Sequence, residues 1–418
     1  MAKIRAFRAY RPCKDMAAQI AALPYDVYNK EEAREYVSEH PDSFLAIDRP
    51  ETTLDPDCDM YAKETYMHAA QMLQSQIADG KFIKEEEPCL YLYELTMNSR
   101  VQTGIVACVS VDDYDKGVVK KHENTLAAKE EDRVNHIDHT SMQTGPIFLA
   151  YRDNKALSDI VLETKRSDDL YDITSEDGIR HRVWKISEPA VMDAIIKEMD
   201  AIGNVYIADG HHRAASAVRV SHMRREAHPE GGKDEEYNYF LSVLFPAHEL
   251  KILDYNRVVK DLNGFGAQEF LKELDKVAEK LDESDEAIRP TEKGQFSVAL
   301  SGKWYLYSFK AEVRSEDAVE GLDVSILQKY VLTPILGIKD PRTDSRIAFV
   351  GGIRGLDILA EMATDEDFAG DEGVAFAMYP TSIDELLKVA DESRLMPPKS
   401  TWFEPKLRSG IFLHEIEK

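Results

Sequence analysis

The densest concentration of reactive side chains in this chain is Tyr206-Ile207-Ala208-Asp209-Gly210-His211-His212-Arg213, followed at once by Ala214-Ala215-Ser216-Ala217. The apolar run reads as a strand, Asp209-Gly210 as a turn, and the alanine-rich stretch as the start of a helix. Unpaired amides at a helix start, together with the positive end of its dipole, favour an anion. Gly210 allows close backbone approach, and His211, His212 and Arg213 add donors at the same point, so a phosphate is the natural guest. The plainer alternative is a helix capped by Asp209 with surface histidines. Neighbouring helical histidines diverge by about 100°, which argues against their sharing one metal ion.

Three further segments carry candidate chemistry. Lys120-Lys121-His122-Glu123-Asn124-Thr125, with Lys129 and Asp132-Arg133 behind it, sets cations and a carboxylate near a helix start, although ordinary surface ion pairs would look the same. Thr144-Gly145-Pro146 precedes a strand and could add a backbone turn to the same rim. In Leu23-Pro24-Tyr25-Asp26-Val27-Tyr28, partial burial of Asp26 between apolar neighbours would raise its pKa and suit it to proton transfer; otherwise it caps the next helix. Near the C-terminus, Met396-Pro397-Pro398-Lys399-Ser400-Thr401-Trp402-Phe403-Glu404-Pro405-Lys406 is a proline-framed loop able to place donors over a pocket.

Helical and strand periods alternate along the chain, which predicts a mixed α/β architecture. Helices are expected at 59–78, 124–138, 191–202, 214–225 and 268–281, and strands at 90–93, 105–111, 147–151, 205–208 and 239–245. Phe296–Leu300 and Trp304–Phe309 should form a hairpin, and 347–350, 374–378 and 411–413 supply three more strand-like runs. Asn263-Gly264-Phe265-Gly266 marks the expected boundary, giving domains 1–262 and 263–418, the second an additional α/β unit.

The chain has 418 residues, enough for two or three domains, with 43% hydrophobic and 31% charged residues. Its formal net charge of −25 argues against wrapping a nucleic-acid backbone, while leaving room for one locally basic pocket. Four cysteines without a C-x-x-C pair, no apolar leader and no membrane-length run together point to a cytoplasmic protein.

Pro24-Tyr25-Asp26-Val27, Lys121-His122-Glu123, Asp132-Arg133, Gly145-Pro146-Ile147-Phe148, Asp209 to Arg213 and Pro397-Pro398-Lys399-Ser400-Thr401 resemble, across nearly the whole chain, the bacterial domain-of-unknown-function 1015 family. Asp209 to Arg213 after a strand also resembles the phosphate-binding signature of the ParB/sulfiredoxin-like superfamily, in the form found in free-serine kinases. That resemblance implies a compact α/β nucleotide-handling core, ATP or ADP with Mg²⁺ as cofactors, and phosphoryl transfer to a small hydroxyl metabolite such as free L-serine. Gly210, His211, His212 and Arg213 would contact phosphate, beside Asp209, Lys121, His122 and Arg133. Asp26 or Glu123, with His212, would carry the catalysis. With water as acceptor the same groups make a phosphatase, and without turnover a nucleotide-binding regulatory module. His211 stands where sulfiredoxins carry their catalytic cysteine, which disfavours redox repair. The sequence leaves the substrate and the oligomeric state open.

Overall fold

A computed structural model describes residues 2–365, 368 and 373–417. The fold is mixed α/β, and the chain divides into two compact units. The first comprises residues 1–121, 125–250 and 405–418, and the second residues 122–124 and 251–404. Among the described residues no helix is long and apolar enough to cross a membrane.

The first unit is built on a nine-stranded mixed sheet. Its path runs Val119–Lys120, Val205–Asp209, Ile147–Tyr151, Tyr239–Pro246, Arg100–Ser110, Leu90–Met97, Arg180–Ile186 and Tyr171–Thr174, with Ile4–Arg5 also pairing Arg100–Ser110. Val119–Lys120 runs parallel to Val205–Asp209, and Ile147–Tyr151 parallel to Tyr239–Pro246; the other pairings are antiparallel. Leu92, Ile105, Leu149, Ile207 and Leu244 are fully buried, as expected of strands covered on both faces. Helices Lys63–Ala78, Ala127–Thr140, Pro189–Ile202 and His211–Ala227 match the expected ones to within a few residues. Lys63–Ala78 ends ahead of Gly80, whose φ of +74° is the left-handed stop a helix C-terminus favours.

The second unit has a six-stranded sheet in the order Ala278–Ser284, Lys303–Phe309, Gln295–Leu300, Val374–Met378, Tyr255–Val259 and Ile347–Gly351, antiparallel throughout. The Gln295–Leu300/Lys303–Phe309 hairpin turns through Ser301 and Gly302, both at positive φ, as a two-residue turn requires.

Three expectations are corrected. The division falls after Leu250 and not at residue 262, because Tyr255–Val259 is an interior strand of the second sheet. The helix expected over 268–281 stops at Leu274; the charged Ala278–Ser284 forms an edge strand instead, where pairing with Lys303–Phe309 overrides local helical spacing. Residues 411–413 do not extend the second sheet: they belong to the first unit, where Leu413 bridges Tyr10 and His414–Glu415 pairs with Met142–Gln143.

Candidate functional site

The strand Val205–Asp209 delivers the chain to Gly210, at φ +91° and ψ 33°, and the helix His211–Ala227 begins immediately. A Cβ at residue 210 would meet the Arg213 guanidinium at 3.0–3.1 Å, so glycine lets that side chain fold back over the turn. Arg213 Nη1 donates to the Pro146 carbonyl at 2.7 Å, tying the helix to the Thr144-Gly145-Pro146 turn. Asp209 accepts from the Gly210 amide at 2.8 Å and from Lys406 Nζ at 2.9 Å. Burial alone would raise the Asp209 carboxyl, but Lys406 and Arg213 outweigh it and hold the group well below the usual carboxylate range.

A second guanidinium comes from helix Ala127–Thr140. Arg133 is buried, its Nε donates to Asp132 at 3.0 Å and its Nη2 to the Asp48 carbonyl at 3.2 Å, and it lies 4.1 Å from the Tyr25 ring centroid. Burial would lower its pKa, but Asp132, Tyr25 and Asp48 raise it above the ordinary arginine value. One turn on, His136 Nε2 meets the Ile47 carbonyl at 2.9 Å; burial and Arg133 favour its neutral form.

Asp48 ends the short helix Leu45–Asp48, is 2% exposed and accepts from the Thr144 hydroxyl at 2.8 Å. Arg49 bonds Glu51 at 2.6 Å and donates to the carbonyls of Tyr25 and Tyr28, fixing the loop that carries Tyr25. The C-terminal return completes the wall: Ser409 exchanges backbone bonds with Ala22, and the Gly410 amide donates to the Thr144 carbonyl. Tyr25, Asp48, Arg133, Thr144, Arg213 and Ser409 thus line a narrow cavity of about 30 Å³. Such a space takes roughly two waters or the head of a small oxyanion.

Of the residues expected from sequence, Asp209, Gly210, Arg213 and Arg133 come together here. Asp26 does not: it is exposed at the tip of its turn, so the expected burial is corrected, and its neighbour Tyr25 faces the cavity instead. His212 Nε2 accepts the Leu126 amide at 2.9 Å, which commits that nitrogen to the start of the neighbouring helix; His211 is buried at the first helical position. Lys121 lies 4.6 Å from the Tyr114 ring centroid. His122 and Glu123 group with the second unit, where the His122 carbonyl accepts the Met396 amide at 2.8 Å. Asp48, Ser409 and the Arg49–Glu51 clamp escaped the sequence reading. The available signal was the charged run Asp48-Arg49-Pro50-Glu51 directly behind the apolar Phe44–Ile47, a position where solvated charge is not expected.

A family model described as protein of unknown function (DUF1015) matches residues 4–325. Among solved structures, the chain is similar to a free serine kinase in complex with AMP, at 14% identity and a TM-score of 0.33, covering 72% of this chain and 91% of that one. It is also similar to SbnI with C-terminal truncation from Staphylococcus aureus, at 13% identity, a TM-score of 0.34 and coverage of 72% and 85%. A conserved hypothetical protein from Pyrococcus furiosus matches at 15% identity and a TM-score of 0.34, with 73% and 93% covered. No curated protein matches.

Proposed function

The chain belongs to the DUF1015 family, and from that premise we propose that its first unit binds an adenine nucleotide by its phosphates and transfers a phosphoryl group to the hydroxyl of a small metabolite, free L-serine being the first to try. The observation that carries the proposal is the convergence of two guanidiniums from separate helices, Arg133 and Arg213, on one cavity that also holds a buried carboxylate. Phosphoryl transfer needs positioning and charge neutralisation more than covalent help, and two planar forks supply both. In this scheme the acceptor oxygen attacks the terminal phosphorus, the bond to the leaving phosphate breaks with its electron pair, and the hydroxyl proton passes to Asp48. Thr144 holds that carboxylate in place. The proton-acceptor role moves to Asp48 from Asp26 and Glu123 because Asp48 is the carboxylate among the described cavity-lining residues.

Magnesium usually keeps several waters and binds largely through substrate phosphates, so an ion would be carried in on the nucleotide and leave Asp48 to its proton-acceptor role. When bound, such an ion would neutralise phosphate charge.

The test is turnover of MgATP or MgADP with a panel of hydroxy metabolites, followed by ³¹P NMR on the full chain. Arg213→Ala should weaken nucleotide binding at least tenfold by titration calorimetry, and unchanged affinity would reject the assignment. Asp48→Asn should keep that affinity and lose about 10²–10⁴-fold in turnover. Nucleotide binding without turnover across the panel would mark a regulatory module, and phosphate release to water a phosphatase.

A further inference from the structure

Three hydroxyl side chains line the first unit's cavity among the described residues, those of Tyr25, Thr144 and Ser409. The Thr144 hydroxyl is committed, donating to Asp48 at 2.8 Å, and Tyr25 is a phenol whose ring centroid lies 4.1 Å from the Arg133 guanidinium. Ser409 differs from both. It is a primary alcohol, 3% exposed, and its hydroxyl makes no hydrogen bond among the described residues. Buried polar side chains are normally hydrogen-bonded, so a free hydroxyl on a cavity wall points to something that the cavity takes in. It is also the chemical group that the proposed reaction consumes: the CH₂OH of a serine, already inside the site.

The surrounding chain fixes where that hydroxyl sits. The Ser409 amide donates to the Ala22 carbonyl at 2.8 Å, and its carbonyl accepts the Ala22 amide at 3.1 Å. On one side Arg408 is anchored by Ser175, at 3.0 Å, and by Asp177. On the other, the Gly410 amide donates to the Thr144 carbonyl at 3.2 Å. Thr144 therefore ties the serine to the carboxylate, its hydroxyl on Asp48 and its carbonyl on the residue after Ser409. Gly145 leaves the gap that the hydroxyl shares with a cation. A Cβ at residue 145 would meet Ser409 Oγ at 3.2 Å and Arg213 Nη1 at 3.5 Å, so both groups flank one bare stretch of backbone.

We propose that Ser409 is phosphorylated by the chain itself, accepting the terminal phosphoryl group of the adenine nucleotide in cis; the inference rests on the nucleotide reading above. The bond from Ser409 Oγ to phosphorus forms as the bond from phosphorus to the bridging oxygen breaks. That oxygen keeps the electron pair and leaves on the shortened nucleotide, and the hydroxyl proton passes to Asp48. The phosphate so formed is held by the guanidiniums that line the cavity, and it fills a space of about 30 Å³ with room for one oxyanion head. The test incubates the full chain with magnesium and either ATP or ADP carrying ³²P in its terminal phosphate, and locates the label by peptide mass spectrometry. One acid-stable phosphate per chain is expected, on Ser409, at a first-order rate that tenfold dilution of the protein does not change. Ser409→Ala should abolish labelling, and Arg213→Ala should slow it at least tenfold, which a contaminating kinase would not show. Calorimetric titration of the same nucleotides into the unaltered chain separates the failures. Bound nucleotide with Ser409 unlabelled, label on other residues, a rate that falls on dilution, or labelling that Arg213→Ala leaves unchanged overturns the inference and leaves the nucleotide reading standing. Absence of bound nucleotide overturns both. The label is read on the unaltered chain, so the outcome stands even if Ser409→Ala fails to fold.

Discussion

Arg133 in the first unit and Arg257 in the second are both buried guanidiniums, and their surroundings treat them oppositely. Arg133 has Asp132 against its Nε, the Asp48 carbonyl on Nη2 and the Tyr25 ring beneath it, and its pKa rises. Arg257 has carbonyls and an aromatic ring but no carboxylate among the described residues, and its pKa falls. The same side chain is therefore held beside a counter-charge in one unit and, among the described residues, held by carbonyls alone in the other. Burial alone does not tell them apart; the identity of the acceptors does.

The largest predicted effect breaks this contrast at its stronger end. Arg133→Met leaves Asp132 facing a buried gap and should cost the first unit about 3–5 kcal/mol, the usual penalty for removing one partner of a buried pair. Arg257→Met strands no acid among the described residues, and should cost the second unit less, about 1–2 kcal/mol, the worth of two lost hydrogen bonds set against the relief of a buried charge. Hydrogen exchange read separately over the two units measures both, since a two-unit chain need not unfold in one step. Equal destabilisation by the two substitutions would mean that Arg257 has a counter-charge after all.

Signals legible in the sequence were those that act over a few residues. Val205 to Ala217 declares a strand, a glycine turn and a helix by local pattern, and Ser301-Gly302 declares its hairpin the same way. The cavity was only half legible because its wall is assembled from positions as distant as Tyr25, Asp48, Arg133 and Ser409. No local period reports that Asp48 will meet Thr144, or that the last residues will return to the first unit. The error at Ala278–Ser284 has the same origin: its spacing suits a helix, and only the neighbouring strand makes it an edge. His122 and Glu123 sit beside Lys121 in sequence yet group with the other unit, so adjacency in the chain was a poor guide to adjacency in a site.

A smaller and sharper test uses the carboxylates that parallel the two arginines. Asp209 is drawn down by Lys406 and Arg213, so its contribution is present above the ordinary aspartate pKa and is lost as pH falls. Asp323 in the second unit is 8% exposed and accepts the Gly294 amide at 2.8 Å. Burial, with Glu385 adding to it, outweighs that bond and the cations Lys293 and Arg314, and the carboxyl is pushed up to about 6. The sign is therefore reversed. Between about pH 4 and pH 6 the folded chain keeps a proton that the unfolded chain has released, so stability falls as pH rises through that window and stays lower above it. Asp323→Asn retains an oxygen for Gly294 and removes the ionisation. It should stabilise the second unit by roughly 2–3 kcal/mol at pH 7.5 and change little at pH 4. Asp209→Asn should destabilise the first unit at pH 7.5 with an effect that fades on acidification. Hydrogen exchange at the two pH values distinguishes the pair: effects of the same sign, or of equal size at both pH values, would show that the two units do not differ in how they hold these carboxylates.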